Sequence, residues 1–253
     1  MTSSTTAKPG PRLSPDRYLE LLTADGERLA AVAEGHLDEP VPTCPGWDVA
    51  EVVRHTGSVY HHKVACIRLG RRPEDGEWAA APPGGTDLLD WYRGALGAIL
   101  TELRERPADS PAFSWYPPEQ DVAFWQRRMA QETVVHRVDA ETGSGQVTAA
   151  EHDLAVDGID EFFGLIPFWR GASQLPGSGE SIHLHCTDGA GEWLARLGAD
   201  GVIVTREHAK GDAALRASAS DLMLFLYGRR DASAGEVFGD RALLDRWQQL
   251  VSW

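Results

Sequence analysis

The feature that most constrains this chain is a change of period near its middle. Before residue 143, apolar side chains recur three and four residues apart; beyond the stretch "TGSGQVTAAE" and one further helix, period two takes over. The first spacing belongs to amphipathic helices and the second to strands. One polypeptide therefore has to build two kinds of core. Its 253 residues are enough for one large domain or two modest ones.

Four helices are expected in the first half. Ser14 followed by Pro15 is a helix start, with a cap and then proline in the first turn. Tyr18, Leu21, Leu22, Leu29 and Val32 form its inner face, which ends near Gly35. A second helix spans about 48–69, with a seam of Val52, His55, Val59, His62, Cys66 and Leu69. A third spans about 86–106 through Leu88, Trp91, Tyr92, Ala95, Ile99 and Leu103. The fourth, about 119–141, carries Trp125, Met129, Glu132, His136 and Ala140 on one stripe. The connections "GRRPEDGEWAAAPPGG" and "RPADSPAFSWYPPEQ" are rich in proline, and the second carries Phe113, Trp115 and Tyr116. Helices of this length pack as a bundle, and bundles build sites from side chains on facing helices.

Gly143 and Gly145 are expected to end the fourth helix, and Thr148 with Glu151 reads as a capping box for a fifth. "SIHLHCTDGAGEWLARLGADGVIVTRE" then reads as three strands with turns at Asp188-Gly189 and Asp200-Gly201. "AALRASA" is a candidate fourth strand. "SASDLMLFLYGRR" is a helix capped by Ser218 or Ser220, and a last helix closes the chain. The expected fold class is α+β: a tail over 1–12, a four-helix bundle over 13–145 and a small α+β domain over 146–253.

Two members of the fourth stripe are polar, and so is His55 in the second. An unpaired buried carboxylate is costly, so Glu132 needs a partner. An ion pair or a hydrogen bond would serve. So would a metal: Glu132 and His136, four apart, lie on one helix face, and His55 can meet them from a facing seam. Two histidines and one carboxylate are a first shell that leaves zinc an open position. The same set suits iron, nickel or cobalt.

Charge narrows the partners. A net charge of -14 disfavours nucleic-acid backbones and anionic lipid. No apolar run is long enough to span a bilayer, and the N-terminus lacks the apolar core of a signal peptide. Cys44, Cys66 and Cys186 are too few and scattered for a disulfide framework or a C-x-x-C zinc site, which fits a reducing cytoplasm.

Three segments carry a family resemblance. "CPGWDVAEVVRHTG" (44–57) resembles the opening signature of the mycothiol-dependent maleylpyruvate isomerase family. "WQRRMAQETVVHRVDAE" (125–141) resembles its second signature, and "SASDLMLFLYGRR" its C-terminal domain. The resemblance implies a DinB-like four-helix bundle whose metal ligands are His55, Glu132 and His136. It implies zinc as the ion and mycothiol, the small thiol of actinobacteria, as co-substrate. The implied activity is isomerisation through thiolate addition, or transfer of the thiol to a small electrophile. A non-catalytic metal-containing binding protein and a metal-dependent hydrolase remain alternatives. The partners are then small molecules, with no nucleic acid or membrane, and the chain a monomer or weak dimer.

Other residues have two readings each. Arg229 would suit an anionic substrate, because a guanidinium pairs carboxylates bidentately; a solvated helix end or a carboxylate pair is the alternative. Asp139 or Glu141 could orient a ligand histidine or form a helix-surface ion pair. His62 could supplement a ligand or pair with a carboxylate. His183 and His185, two apart on a strand, read first as a solvated or interface face and second as ligands. Cys44 could be reactive at a helix N-terminus, but packing is favoured.

Overall fold

The computed structural model describes residues 10–82, 86–170, 177–199 and 201–251. Among them are seven α-helices and five strands, and the fold is α+β. The chain separates into two compact units. One is Leu13–Thr148; the other is Ala149–Trp253 together with the described residues before Leu13. Most of the expected 1–12 tail, residues 1–9, lies outside the described residues.

The first unit is built from α1 (Pro15–Ala33), α2 (Val49–Leu69), α3 (Thr86–Glu105) and α4 (Val122–Ser144). Its starts follow capping chemistry. Ser14, Asp48 and Asp121 each accept a backbone N–H from the first turn, at 3.2, 2.8 and 2.9 Å. Helix α4 packs against α1 and α2, and α2 against α3. Leu22, Leu29, Tyr60, Tyr92 and Trp125 are fully buried between them. Each side chain of that size contributes about 1.5–3 kcal/mol by leaving water. The two tyrosine hydroxyls are satisfied internally. Tyr60 pairs with Thr133 at 2.6 Å, and Tyr92 donates to the Gly26 carbonyl at 3.1 Å.

Three details differ from the sequence reading. The buried face of α2 is broader than the expected seam: Val52 and Cys66 are buried as expected, and Val53, Thr56, Tyr60, Val64 and Ile67 are buried beside them. Val59 and His62 are half-buried, and Leu69 is exposed. Helix α4 has no single buried stripe; its charged residues Arg127, Arg128, Arg137, Asp139 and Glu141 are buried as well. The two glycines also do different work. Gly145 is the left-handed cap at φ 78°, while Gly143 is helical, and a Cβ there would lie 2.7 Å from the Val49 side chain. The last turn of α4 thus packs directly against the start of α2.

The segment after α4 is held by a buried charge cluster rather than by a capping box. Glu141 accepts from the Thr148 backbone at 2.7 Å and from Arg137 at 2.7 Å, and it also pairs with Arg28. Arg137 reaches Asp25 on α1 at 3.0 Å. Thr148 is occupied there, so α5 (His152–Arg170) begins four residues further on.

In the second unit, β1 (Ser181–Cys186), β2 (Glu192–Gly198), β3 (Gly201–Thr205), β4 (Ala213–Ala217) and β5 (Glu236–Gly239) form one sheet in the order β3-β2-β1-β4-β5. Only the β1–β4 pair is parallel. Ile182, Leu184, Trp193, Ala195 and Leu197 alternate onto one face and are buried. The indole of Trp193 donates to Asp160 on α5 at 2.7 Å. Helix α6 (Ala219–Leu226) is capped by Ser218, whose Oγ accepts from the Asp221 N–H. Ser220 instead accepts from the Ala150 N–H at 2.9 Å. Helix α7 (Arg241–Val251) closes the unit. The strand β5 lay unread in the sequence, and Asp200 of the second expected turn lies outside the described residues.

Candidate metal centre

The bundle brings His55, Glu132 and His136 together. One ligand atom from each lies within 4.8 Å of the other two. Oε1 of Glu132 stands 3.3 Å from Nε2 of His55 and 3.3 Å from Nε2 of His136. Ligand atoms about 2.0–2.1 Å from a tetrahedral ion stand about 3.3 Å apart, so this donor set fits a zinc-sized ion. The geometry comes from two helices. Four-residue spacing aligns Glu132 and His136 on α4, and α2 delivers His55 from the rim of its buried face, with 38% of the side chain exposed. The site is open to solvent on that side and closed behind His136.

Neighbouring side chains fix each donor. The second oxygen of Glu132 receives Arg128 at 2.8 Å, which leaves Oε1 for the imidazoles. Nδ1 of His136 lies 3.0 Å from Asp139, and Asp139 accepts from the Thr43 hydroxyl at 2.8 Å. A carboxylate on Nδ1 turns Nε2 toward the centre and raises its basicity, the usual support of a metal-binding histidine. Trp47 lines the same place. Its ring is stacked with His136 at 6.2 Å between centroids and tilted against His55 at 5.1 Å. The loop holding Trp47 is tied down by backbone bonds from Val41 to Trp47 at 2.9 Å and from Trp47 to Cys44 at 2.9 Å.

The electrostatics call for a positive charge between the donors. Burial alone would raise the Glu132 pKa, but His136, His55 and Arg128 hold it well below the carboxylate range. Burial would lower His136, yet Asp139 and Glu132 outweigh it and raise it to about 9. Without a metal, the His136 proton supplies that charge. A divalent cation would displace it, since only the neutral ring binds metal.

The remaining candidates fall elsewhere. Among the described residues His62 pairs with no carboxylate; it faces Lys63 at 3.1 Å, the Cys66 sulfur at 3.6 Å and the Trp78 ring. Glu141 belongs to the buried cluster with Arg137, not to a helix-surface pair. Cys44 sits half-buried in the Trp47 loop. Trp115 and Tyr116 pack on Phe124 at the start of α4, and the Trp125 indole donates to the Phe113 carbonyl at 2.9 Å. His183 is buried, not solvated. Arg229 lies just past the end of helix α6, in its cap rather than in its last turn. Helix α6 stops at Leu226 because Gly228 turns left-handed at φ 71°, and the Arg229 N–H folds back to the Leu224 carbonyl. Its guanidinium donates to the Tyr227 carbonyl at 2.9 Å.

The sequence reading missed Trp47, Thr43 and Arg128. Arg128 was within reach, since it lies four residues before Glu132 on the same helix face. Trp47 and Thr43 act from a loop whose path no periodicity predicts.

Comparison with known proteins adds the following. The family model described as "Mycothiol maleylpyruvate isomerase N-terminal domain" matches residues 18–141, and "MDMPI C-terminal domain" matches 153–246. Solved structures that resemble the chain include the mycothiol-dependent maleylpyruvate isomerase and a histidine-to-alanine variant of it. Each is 12% identical, covers 89% of this chain and 93% of the other, and superposes with a TM-score of 0.60. Identity that low speaks to the fold alone. No curated protein matches the chain.

Proposed function

The chain belongs to the mycothiol maleylpyruvate isomerase family, and on that premise we propose that it is a metal-dependent enzyme that adds mycothiol to a small electrophile. His55, Glu132 and His136 hold the ion, with zinc as the first choice. The observation that carries this reading is one carboxylate oxygen facing two imidazole nitrogens at 3.3 Å each. When bound, such an ion lowers the pKa of a thiol and holds it as the nucleophilic thiolate.

The protein's own groups do the rest. Asp139 keeps the His136 ring in one orientation and tautomer, so the donor does not rotate away as charge changes nearby. Arg128 offsets the charge of Glu132 and keeps its Oε1 in place. Trp47 covers the two imidazoles with an apolar wall, which limits water beside the reacting sulfur. The exposed side of His55 leaves an approach for a thiol from solution. Addition to a cis double bond, rotation and elimination would give isomerisation; displacement at a saturated electrophile would give transfer. Arg229 is proposed for the anionic group of the substrate, on the strength of the C-terminal signature in which it lies.

The test is to incubate metal-loaded protein with mycothiol and a panel of cis-unsaturated acids, epoxides and halides. Mass spectrometry and chromatography then separate adducts from isomers. Catalysis that needs both metal and mycothiol supports the proposal. Turnover unchanged when either is omitted would overturn it, and hydrolysis without thiol would move the chain to the hydrolase reading.

A further inference from the structure

A second set of donors converges in the other unit. His183 and His185 are two apart on β1 and stand on the sheet face opposite Ile182 and Leu184. The antiparallel register places Glu192 of β2 directly across from His185. His208 comes from the segment that follows β3. One ligand atom from each of the four lies within 4.8 Å of the others. The Glu192 carboxylate is 2.5 Å from Nδ1 of His185, 2.9 Å from Nδ1 of His208 and 3.8 Å from Nε2 of His183.

The third of those distances is the telling one. His183 is 6% exposed, and its Nε2 has no hydrogen-bond partner among the described residues. A buried polar atom left unpaired is uncommon enough to require a reason. The carboxylate already serves two imidazoles, and at 3.8 Å its approach to the third is an ion-pair contact too long for a hydrogen bond. An ion among the four would give every one of these atoms a partner.

We propose that His183, His185, Glu192 and His208 form a second metal site, for a divalent transition ion such as zinc. Three imidazole nitrogens and one carboxylate oxygen suit zinc, copper, nickel or cobalt; calcium and magnesium prefer an all-oxygen shell. Four protein donors complete a tetrahedral shell, so no position is left for a substrate. The role is structural: the ion fastens the segment after β3 to strands β1 and β2. Accessibility is graded. The His208 side chain is 81% exposed while that of His183 is 8% exposed. The buried histidine and the strand pair make the preformed part, and His208 closes on the ion last. The site shares no residue with the bundle cluster and stands or falls independently of the thiol chemistry.

The test is metal stoichiometry on the full chain. The protein is stripped with a chelator, loaded with zinc, freed of excess and read by elemental analysis. Two zinc ions per chain are expected in the wild type, one in His136→Ala and one in the Glu192→Gln/His208→Ala double variant. His208→Ala alone, at an exposed loop position that cannot upset the core, should weaken the second ion at least tenfold while circular dichroism stays unchanged. Copper loaded into His136→Ala should show an electron paramagnetic resonance signal split by more than one nitrogen. One ion in the wild type, unaltered by the double variant, would overturn the proposal. So would a second ion held with equal affinity by His208→Ala.

Discussion

The two histidine–carboxylate clusters use the same donor types and differ in how the backbone delivers them. In the bundle, Glu132 and His136 are one helical turn apart on α4, and His55 arrives from a second helix. In the sheet, His183 and His185 are one pleat apart, and Glu192 arrives through strand register. The bundle cluster has three donors, with Asp139 and Arg128 behind them fixing their orientation. The sheet cluster has four donors, and among the described residues the buried Nε2 of His183 has no hydrogen-bond partner. Three oriented donors leave room for chemistry, whereas four complete a shell. On the proposed reading, the number of donors and their outer partners, rather than their kind, would separate a reactive centre from a fastening one.

The sharpest way to break the comparison is to remove one donor from each side. His136→Ala should abolish thiol-dependent turnover and the bundle metal while the helices persist by circular dichroism. His208→Ala should leave turnover within a factor of about two, because its ligands serve no reacting atom. Equal loss of turnover in both variants would erase the distinction.

Outer partners come next. Asp139→Asn should weaken the bundle metal by roughly 10–100-fold, as removal of a histidine's carboxylate partner does elsewhere. Metal titration with a competing chelator reads this directly. Affinity equal to wild type would mean that Asp139 only supports the fold. Arg229→Ala should lower kcat/KM for an anionic substrate by about ten- to a hundredfold, the loss of one charge-assisted bond of about 1.5–3 kcal/mol, with metal content unchanged. Turnover untouched by that change would remove Arg229 from the account.

The smallest effect concerns His62, which faces Lys63 and the Cys66 sulfur. Burial and the nearby Lys63 and Arg72 charges lower the His62 pKa from 6.5 to about 4. A depressed folded pKa means the unfolded chain takes up the proton first. The stabilisation from neutral His62 is therefore complete above pH 6.5 and is lost as pH falls toward about 4. Denaturant melts of wild type and His62→Gln across that window should converge on the acid side. Parallel pH profiles would show that His62 titrates normally.

How far the sequence could be read depended on how local each cause is. The helices and the α+β class follow from spacings of three, four and two, and those need only neighbouring residues; the grouping of His55 with Glu132 and His136 joins two helices and rests on facing seams and the family resemblance. Gly143 was misread as a helix end because its reason, the approach of Val49, lies on another helix. The buried face of α2 is wider than its expected seam, since Val53, Tyr60, Val64 and Ile67 are apolar too and only packing shows that they are buried beside Val52 and Cys66. Thr148 looked like a cap until Glu141 and Arg137 claimed it. Trp47, Glu192 and His208 reach their clusters through loop path and strand register. The parallel pairing of β1 with β4 joins segments about thirty residues apart and carries no local signal.

The central claim is that His55, Glu132 and His136 hold an ion that a thiol can reach. Cobalt substitution followed by mycothiol titration tests it most directly, because sulfur bound to cobalt gives an intense charge-transfer absorption. The account predicts that this band grows to one equivalent of mycothiol in the wild type and in Glu192→Gln/His208→Ala, and is missing in His136→Ala. No band at saturating mycothiol, or a band that survives His136→Ala, would contradict it.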